Sequence, residues 1–324
     1  MINEKRLLDT FIGYAMIDSE TKNEKAMGEK LVEDLNALGL EVKTDKAGEG
    51  FGSNGFNVCA YLPGTIPGEP TIMCAHMDTV TPGNGIKPLI DDGIIHTDGS
   101  TILSGDDKSG IAAIMEAVKV IKEQNLPCRN TEILFTIGEE GGMNGVKNMD
   151  LSMIKGKEAM VFDASGDVGK ILTCGPGQIK IFATIIGRSS HAGLAPEEGI
   201  SAIQVAAKGI AKMNLLRIDE ETTCNIGTLK AEYATEVRSR NLDKLNAQAA
   251  HMQKCLQDAC DEMGAKLEIE LKTNYVSFNV ANDDPMVQRV FESCKRIGCE
   301  PMTAKGGGGS DANVMALHGI KPIV

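Results

Sequence analysis

Two apolar runs in this chain stop abruptly on ionisable side chains, and that termination narrows the folds open to it. Thr71-Ile-Met-Cys-Ala runs into His76-Met-Asp78, and Glu132-Ile-Leu-Phe-Thr-Ile-Gly138 runs into Glu139-Glu140. Runs of this kind read as buried strands, so their polar ends must sit where a sheet gives way to loops. Two further segments carry the same chemistry: Ser104-Gly-Asp106-Asp107-Lys108-Ser-Gly precedes a helical pattern, and Val161-Phe-Asp163-Ala-Ser follows another apolar stretch. Brought together, the four segments supply the donors of a dinuclear metal site. Carboxylates and imidazole hold hard or borderline divalent ions, and paired ions activate water for hydrolysis.

Residues two apart on a strand share a face, so His76 and Asp78 point the same way. Asp78 is then placed to fix the imidazole tautomer and leave the other ring nitrogen for a metal. The adjacent glutamates diverge, so one can bind metal while the other takes a proton from water. Asp106 opens a helix expected over about 109–124, with Ile111, Ile114, Met115, Val118 and Ile121 at helical spacing. A carboxylate is favoured at any helix start, so that position alone proves nothing. Each fragment also has an ordinary reading: a hydrogen-bonded His-x-Asp, a solvated Glu-Glu pair, an aspartate capping a turn. Their conjunction points to a metallohydrolase.

The 324 residues suggest about two domains. Thr21-Lys-Asn-Glu24 has the form of a capping box before a helix with Met27, Leu31, Leu35 and Leu38 on one face. Strands are expected near 41–44, 57–62 and 71–75, and 146–154 and 159–163 continue the alternation of strand and helix, which indicates a sheet covered on both faces. After Gly175-Pro-Gly177 the texture changes. Residues 178–187 alternate, 200–213 form an amphipathic helix, 225–230 and 234–240 read as strands, and 242–263 form a long helix. This is an α+β insert. A helix over 285–297 and a loop, helix and incipient strand over 304–324 complete the chain.

A net charge of -12 without a compensating basic block argues against nucleic acid or an anionic membrane as partner. The N-terminus lacks an apolar signal core and no run reaches membrane-spanning length, so cytoplasm is the expected location. Nine cysteines, with no Cys-x-x-Cys pair, read as reduced structural thiols rather than a zinc cluster or a nucleophile. Lys305-Gly-Gly-Gly-Gly-Ser-Asp311 lacks the Gly-Lys-Ser/Thr ending of a phosphate loop. His96, His251 and His318 lie in no motif and are expected at the surface.

The four segments, together with Gly187-Arg-Ser-Ser-His191-Ala-Gly, Ile218-Asp-Glu-Glu-Thr-Thr-Cys-Asn-Ile-Gly227 and Gly308-Gly-Ser-Asp311-Ala-Asn313, resemble the dinuclear-zinc exopeptidase family containing peptidase T, carboxypeptidase G and aminoacylase. The likeness covers nearly the whole chain and is nearest to the peptidase T-like tripeptide aminopeptidases. It implies an α/β catalytic domain with a mostly parallel sheet, made of 1–176 and 280–324, interrupted by an α+β lid and dimerisation domain over 177–279. It implies two Zn2+, or Co2+ or Mn2+, with Asp106 bridging, His76 and Asp163 completing one ion and Glu140 holding the other. Glu139 would be the general base beside Asp78, and Asp107 receives no role because relatives vary there.

The same resemblance gives His191 a part in stabilising the oxyanion, often across a homodimer, against an ordinary reading as a loop histidine capping the next helix. It gives Arg238 the substrate carboxylate, against an edge-strand surface charge, and sets Gly308 and Gly309 beside the substrate cleft. Aspartate at 163, where carboxypeptidase-like and aminoacylase-like relatives tend to carry glutamate, favours release of N-terminal residues from short peptides. The alternatives are a carboxypeptidase, an N-acyl-amino-acid deacylase or a catalytically silent peptide-binding protein. Two departures stand out. Relatives carry one more metal-binding histidine beyond the segment matched by Ile320-Lys-Pro-Ile-Val324, which leaves the second ion short of a ligand, and a strand-like run ending at Pro-Ile-Val reads as a chain that continues. Relatives also have a longer excursion, including a substrate-contacting asparagine, where Ala231-Glu-Tyr-Ala-Thr235 stands here.

Overall fold

A computed structural model describes residues 2–191, 194–229 and 232–324. The chain divides into two compact units, one of Met1–Thr173, Val280–Ala304 and Ser310–Val324, the other of Cys174–Asn279 and Lys305–Gly309. The glycine-rich loop thus groups with the second unit.

The first unit is built on a six-stranded sheet, in the order Glu41–Thr44, Val58–Leu62, Arg129–Thr136, Ile66–His76, Glu158–Val161, Lys321–Ile323. The first two pairings are antiparallel and the remaining three parallel. Val58, Ala60, Ala75, Ile133 and Phe135 lie two apart along their strands and share one face, packed with Met27, Leu31, Leu35, Ile111, Ile114 and Met115 of the helices Lys25–Ala37 and Gly105–Glu123. Ile72, Cys74 and Leu134, which point the other way, are also fully buried. Both faces are therefore covered, which is why the strands read as unbroken apolar runs. Each buried valine, leucine, isoleucine, phenylalanine or methionine among them contributes about 1.5–3 kcal/mol by leaving water. In the parallel pair His76 stands opposite Thr136, so the loops that follow both strands leave the sheet together.

One local expectation fails. Glu24 is the N-cap of Lys25–Ala37 and makes no side-chain cap bond, while Thr21 lies outside the helix, so no capping box forms. Residues 146–154 take part in the alternation as helical turns, Asn144–Lys147 and Leu151–Met153, before the strand Glu158–Val161.

The second unit is an antiparallel sheet in the order Leu216–Arg217, Thr222–Leu229, Glu232–Ser239, Gly177–Ile186, Lys266–Tyr275. Alternate residues Ile179, Ile181, Ala183 and Ile185 pack on Val205 of the helix Ala202–Ile210 and on Leu245, Ala249, Met252 and Leu256 of Leu242–Met263. Among the described residues no helix is long and apolar enough to cross a membrane. All nine cysteines are free thiols.

Candidate metal centre

His76 ends its strand 2% exposed. Its Nδ1 lies 3.0 Å from the Asp78 carbonyl oxygen and 3.4 Å from Asp78 Oδ1, a contact that puts the ring proton on Nδ1 and turns Nε2 toward the acids. Nε2 is 2.9 Å from Asp106 Oδ1 and 3.9 Å from Asp163 Oδ1. Asp78, fully buried, does more than orient the ring. Its Oδ1 accepts the Glu139 N–H at 2.9 Å, and its Oδ2 accepts the Glu140 N–H at 3.2 Å and the Thr21 hydroxyl at 2.8 Å. Asp78 thus ties the histidine, through its carbonyl at 3.0 Å and its carboxylate at 3.4 Å, to the turn that carries both glutamates.

That turn bends at Gly138, whose φ is +62° and where a Cβ would lie 2.7 Å from the Phe51 ring. Asp106 and Asp107, joined by a cis peptide, precede the regular part of the helix Gly105–Glu123. Asp107 is buried and its Oδ2 accepts the His76 N–H at 3.2 Å, a backbone anchor rather than a solvated neighbour. Gly110 lets the helix approach the Asp163 loop, because a Cβ there would meet Asp107 Oδ1 at 2.4 Å and the Phe162 carbonyl at 2.8 Å. The Phe162 N–H in turn donates to the Cys74 carbonyl at 2.8 Å, so the strand that delivers His76 also fixes the residue before Asp163.

The outcome is two overlapping donor groups, His76 with Asp106 and Glu140, and His76 with Glu139 and Asp163, each within a span of 4.8 Å. All four residues expected as ligands, and Glu139, therefore come together. Burial pushes Glu139 up to about 9, with the Asp311 charge adding to it. Burial likewise raises Asp163 to about 7, Glu140 to a lesser degree, and Asp107 well above the carboxylate range. Asp106 is held low by its hydrogen bond to His76. For His76 burial works downward, but the bonds to Asp106 and Asp78 outweigh it and the imidazolium is held well above 6.5.

Asp311 is the residue that sequence reasoning quoted without giving it a role. It is 1% exposed, its Oδ2 accepts the Thr136 hydroxyl, and its Oδ1 is buried with no hydrogen-bond partner among the described residues. Burial pushes it up to about 6. Asp106 and Glu140 are exposed, but Asp78, Asp107, Glu139 and Asp311 are buried around one imidazole and short of positive charge, and an unpaired buried charge is costly. A divalent cation would supply what is missing, and an oxygen-rich set with one imidazole suits Zn2+, Mn2+ or Co2+. The residues present fit a metal centre.

The other expected site residues lie in the second unit. His191 is exposed; its Nδ1 accepts the Leu194 N–H at 3.1 Å and its carbonyl accepts from Leu194 and Ala195, while 192–193 fall outside the described residues. Arg238 lies on Glu232–Ser239, an interior strand, which removes the edge-strand reading. Its guanidinium is 3.1 Å from Glu236. Glu236 also accepts from Gln178, which accepts from Asn274, so a polar chain crosses three strands to the arginine. Gly308 has open space where a Cβ would stand, whereas at Gly309 that atom would lie 2.4 Å from Tyr275 Cζ. Packing against Tyr275 thus already favours glycine at 309. Leu229 pairs with Tyr233 across the expected short excursion, of which 230–231 lie outside the described residues. His318 is exposed and His96 pairs with Asp91 at 2.7 Å, away from the donor groups.

Peptidase family M20/M25/M40 matches residues 72–324, and the chain belongs to that family. It is 41% identical to the uncharacterized protein YqjE of Bacillus subtilis, over all of this chain and 90% of that protein. The crystal structure of aminopeptidase PepT from Bacillus cereus is similar with a TM-score of 0.91 and 42% identity, covering 99% of this chain and 90% of that one. A tripeptidase from Staphylococcus aureus gives 0.94 and 37%, covering 100% and 90%.

Proposed function

We propose that this protein is an aminopeptidase that releases the N-terminal residue of short peptides, tripeptides foremost, using two zinc ions, in the cytoplasm and as a homodimer through its second unit. The observation that carries the reading is the 42% identity, over 99% of the chain, with an aminopeptidase of known structure. His76, Asp106 and Asp163 would hold one ion, and Asp106 with Glu140 the other. When bound, such a pair polarises the scissile carbonyl and lowers the pKa of water.

Glu139 takes the proton of the attacking water and returns it to the leaving amine, a role that suits a buried carboxylate of raised basicity. Asp78 keeps His76 in the tautomer that offers Nε2. His191 donates to the oxyanion, Arg238 receives the substrate carboxylate through its planar fork, and Gly308 and Gly309 border the cleft. The test is a peptide panel on protein loaded with Zn2+, Co2+ or Mn2+. Free leucine from Leu-Gly-Gly, with no attack on its N-acetylated form, is the expected result. Cleavage of the blocked peptide alone would establish a deacylase instead, and binding without cleavage a silent receptor.

A further inference from the structure

Residues 17–24 link the first two helices and bond to three of the four segments that carry a proposed ligand. The Ile17 carbonyl accepts from Lys108 Nζ at 2.7 Å, and Lys108, fully buried, is two residues from Asp106. The Ser19 carbonyl accepts the Thr79 N–H at 3.0 Å, and the Thr21 N–H returns to the Thr79 carbonyl at 3.1 Å, just past Asp78. The Thr21 hydroxyl then donates to Asp78 Oδ2 at 2.8 Å. Glu24, fully buried, accepts the Gly138 N–H at 3.1 Å and the Lys22 N–H at 2.9 Å on one oxygen, and the Ser53 hydroxyl on the other. Where Gly141 stands, a Cβ would lie 2.9 Å from Thr21 Cγ2, so the strap also touches the far side of the glutamate turn.

The helix that follows explains none of this. It takes no side-chain cap from Thr21 or Glu24, although the pair has capping-box spacing, so both polar groups are directed away from the backbone they would ordinarily satisfy. We propose that Thr21 is a positioning residue of the metal centre: its hydroxyl fixes the Asp78 carboxylate, and through it the His76 ring and the backbone of Glu139 and Glu140, while Glu24 holds the same turn at Gly138. The effect on hydrolysis rests on the aminopeptidase reading; the effect on metal binding does not.

Thr21→Val removes the hydroxyl at nearly constant volume, and Thr21→Ser restores it. Zn2+ affinity is measured by competition with a chelator on the full chain, alongside kcat and KM for Leu-Gly-Gly and the melting temperature of the metal-free protein. Thr21→Val is expected to weaken the tighter ion about tenfold and lower kcat by a similar factor, with KM within about twofold of the parent and the metal-free melting temperature little changed; Thr21→Ser is expected to recover both. Affinity and kcat within about twofold of the parent in Thr21→Val, or a Thr21→Ser protein as impaired as Thr21→Val, overturns the proposal. Should Thr21→Val not fold, Thr21→Ala takes its place with the same expected losses. A shift in Zn2+ affinity in a protein that cleaves no peptide would leave the positioning role standing and overturn the aminopeptidase reading.

Discussion

Stripping the metal leaves a cluster of acids that must take up protons, and the number of protons follows from the site. At pH 7 Glu139, pushed up to about 9, holds close to one. Asp163, at about 7, holds about half of one, and His76, raised despite its burial by its bonds to Asp106 and Asp78, adds to them. Ligands bind in their deprotonated forms, and a carboxylate beside a bound cation loses its proton, so uptake of metal at pH 7 should release roughly two protons. Isothermal titration of metal-free protein with Zn2+, in buffers of different ionisation enthalpy, reads that number directly. With about two protons displaced, apparent affinity should rise roughly a hundredfold per pH unit near neutrality and level off as Glu139 ionises above about 9. Stability follows the same sign. Glu139 is raised from 4.5 and Asp163 from 3.8, so the metal-free fold binds protons that the unfolded chain gives up. Their contribution is complete below about pH 4 and is lost as pH climbs through about 7 and then about 9. The metal-free protein should therefore melt lower at pH 9 than at pH 6, and added Zn2+ should reverse the trend. Release of less than about half a proton at pH 7, with affinity flat between pH 6 and 8, would refute the assignment of these three residues to one metal-linked cluster.

Glu139→Ala should lower kcat by roughly two to four orders of magnitude with metal content nearly unchanged, and Glu140→Ala should remove one ion; loss of metal in the first variant would reverse the two roles. Zinc titration of the 324-residue chain should show one tight ion and a weaker second, because with His76 committed to the first ion the second is left the carboxylates of Asp106 and Glu140; two equally tight ions by mass spectrometry under native conditions would contradict that. If His191 acts across a dimer, mixing the His191→Ala and Glu139→Ala proteins should restore part of the activity, and a mixture as inactive as its components would rule the arrangement out. Gly309→Ala should cost about 1–3 kcal/mol in denaturant unfolding of the second unit, by driving a methyl into the Tyr275 ring; an unchanged midpoint would show that the loop simply yields.

Most of the candidate donors were legible in the sequence because they sit where an apolar run stops: His76 ends one strand and the Glu139-Glu140 pair closely follows another. Asp106 was legible only through its neighbours, since an acid at a helix start has an ordinary explanation. The strand Lys266–Tyr275 was passed over although Leu267, Ile269 and Leu271 alternate with charged residues, a two-residue period that the preceding long helix obscured. Asp311 escaped assignment because its importance lies in burial and in an unpartnered oxygen, neither of which a sequence records. Thr21 and Glu24 were misread for a sounder reason. Their spacing satisfies a local rule, and only tertiary contacts 57 and 114 residues away override it.

The Asp78 carboxylate faces donors on both sides, the Glu139 N–H on Oδ1 and the Glu140 N–H and Thr21 hydroxyl on Oδ2. An asparagine of the same shape therefore has no tolerable way up. With its amide nitrogen on one side it confronts the Glu139 N–H; flipped, it confronts the Glu140 N–H. The usual isosteric exchange at 78 is consequently a backbone lesion as well as a change of charge, and its loss of activity would overstate what the carboxylate contributes to the imidazole. A clean measurement of that contribution has to alter the acceptor's basicity while leaving two oxygens in place, which among the genetically encoded residues only glutamate does, at the expense of one methylene in a fully buried space.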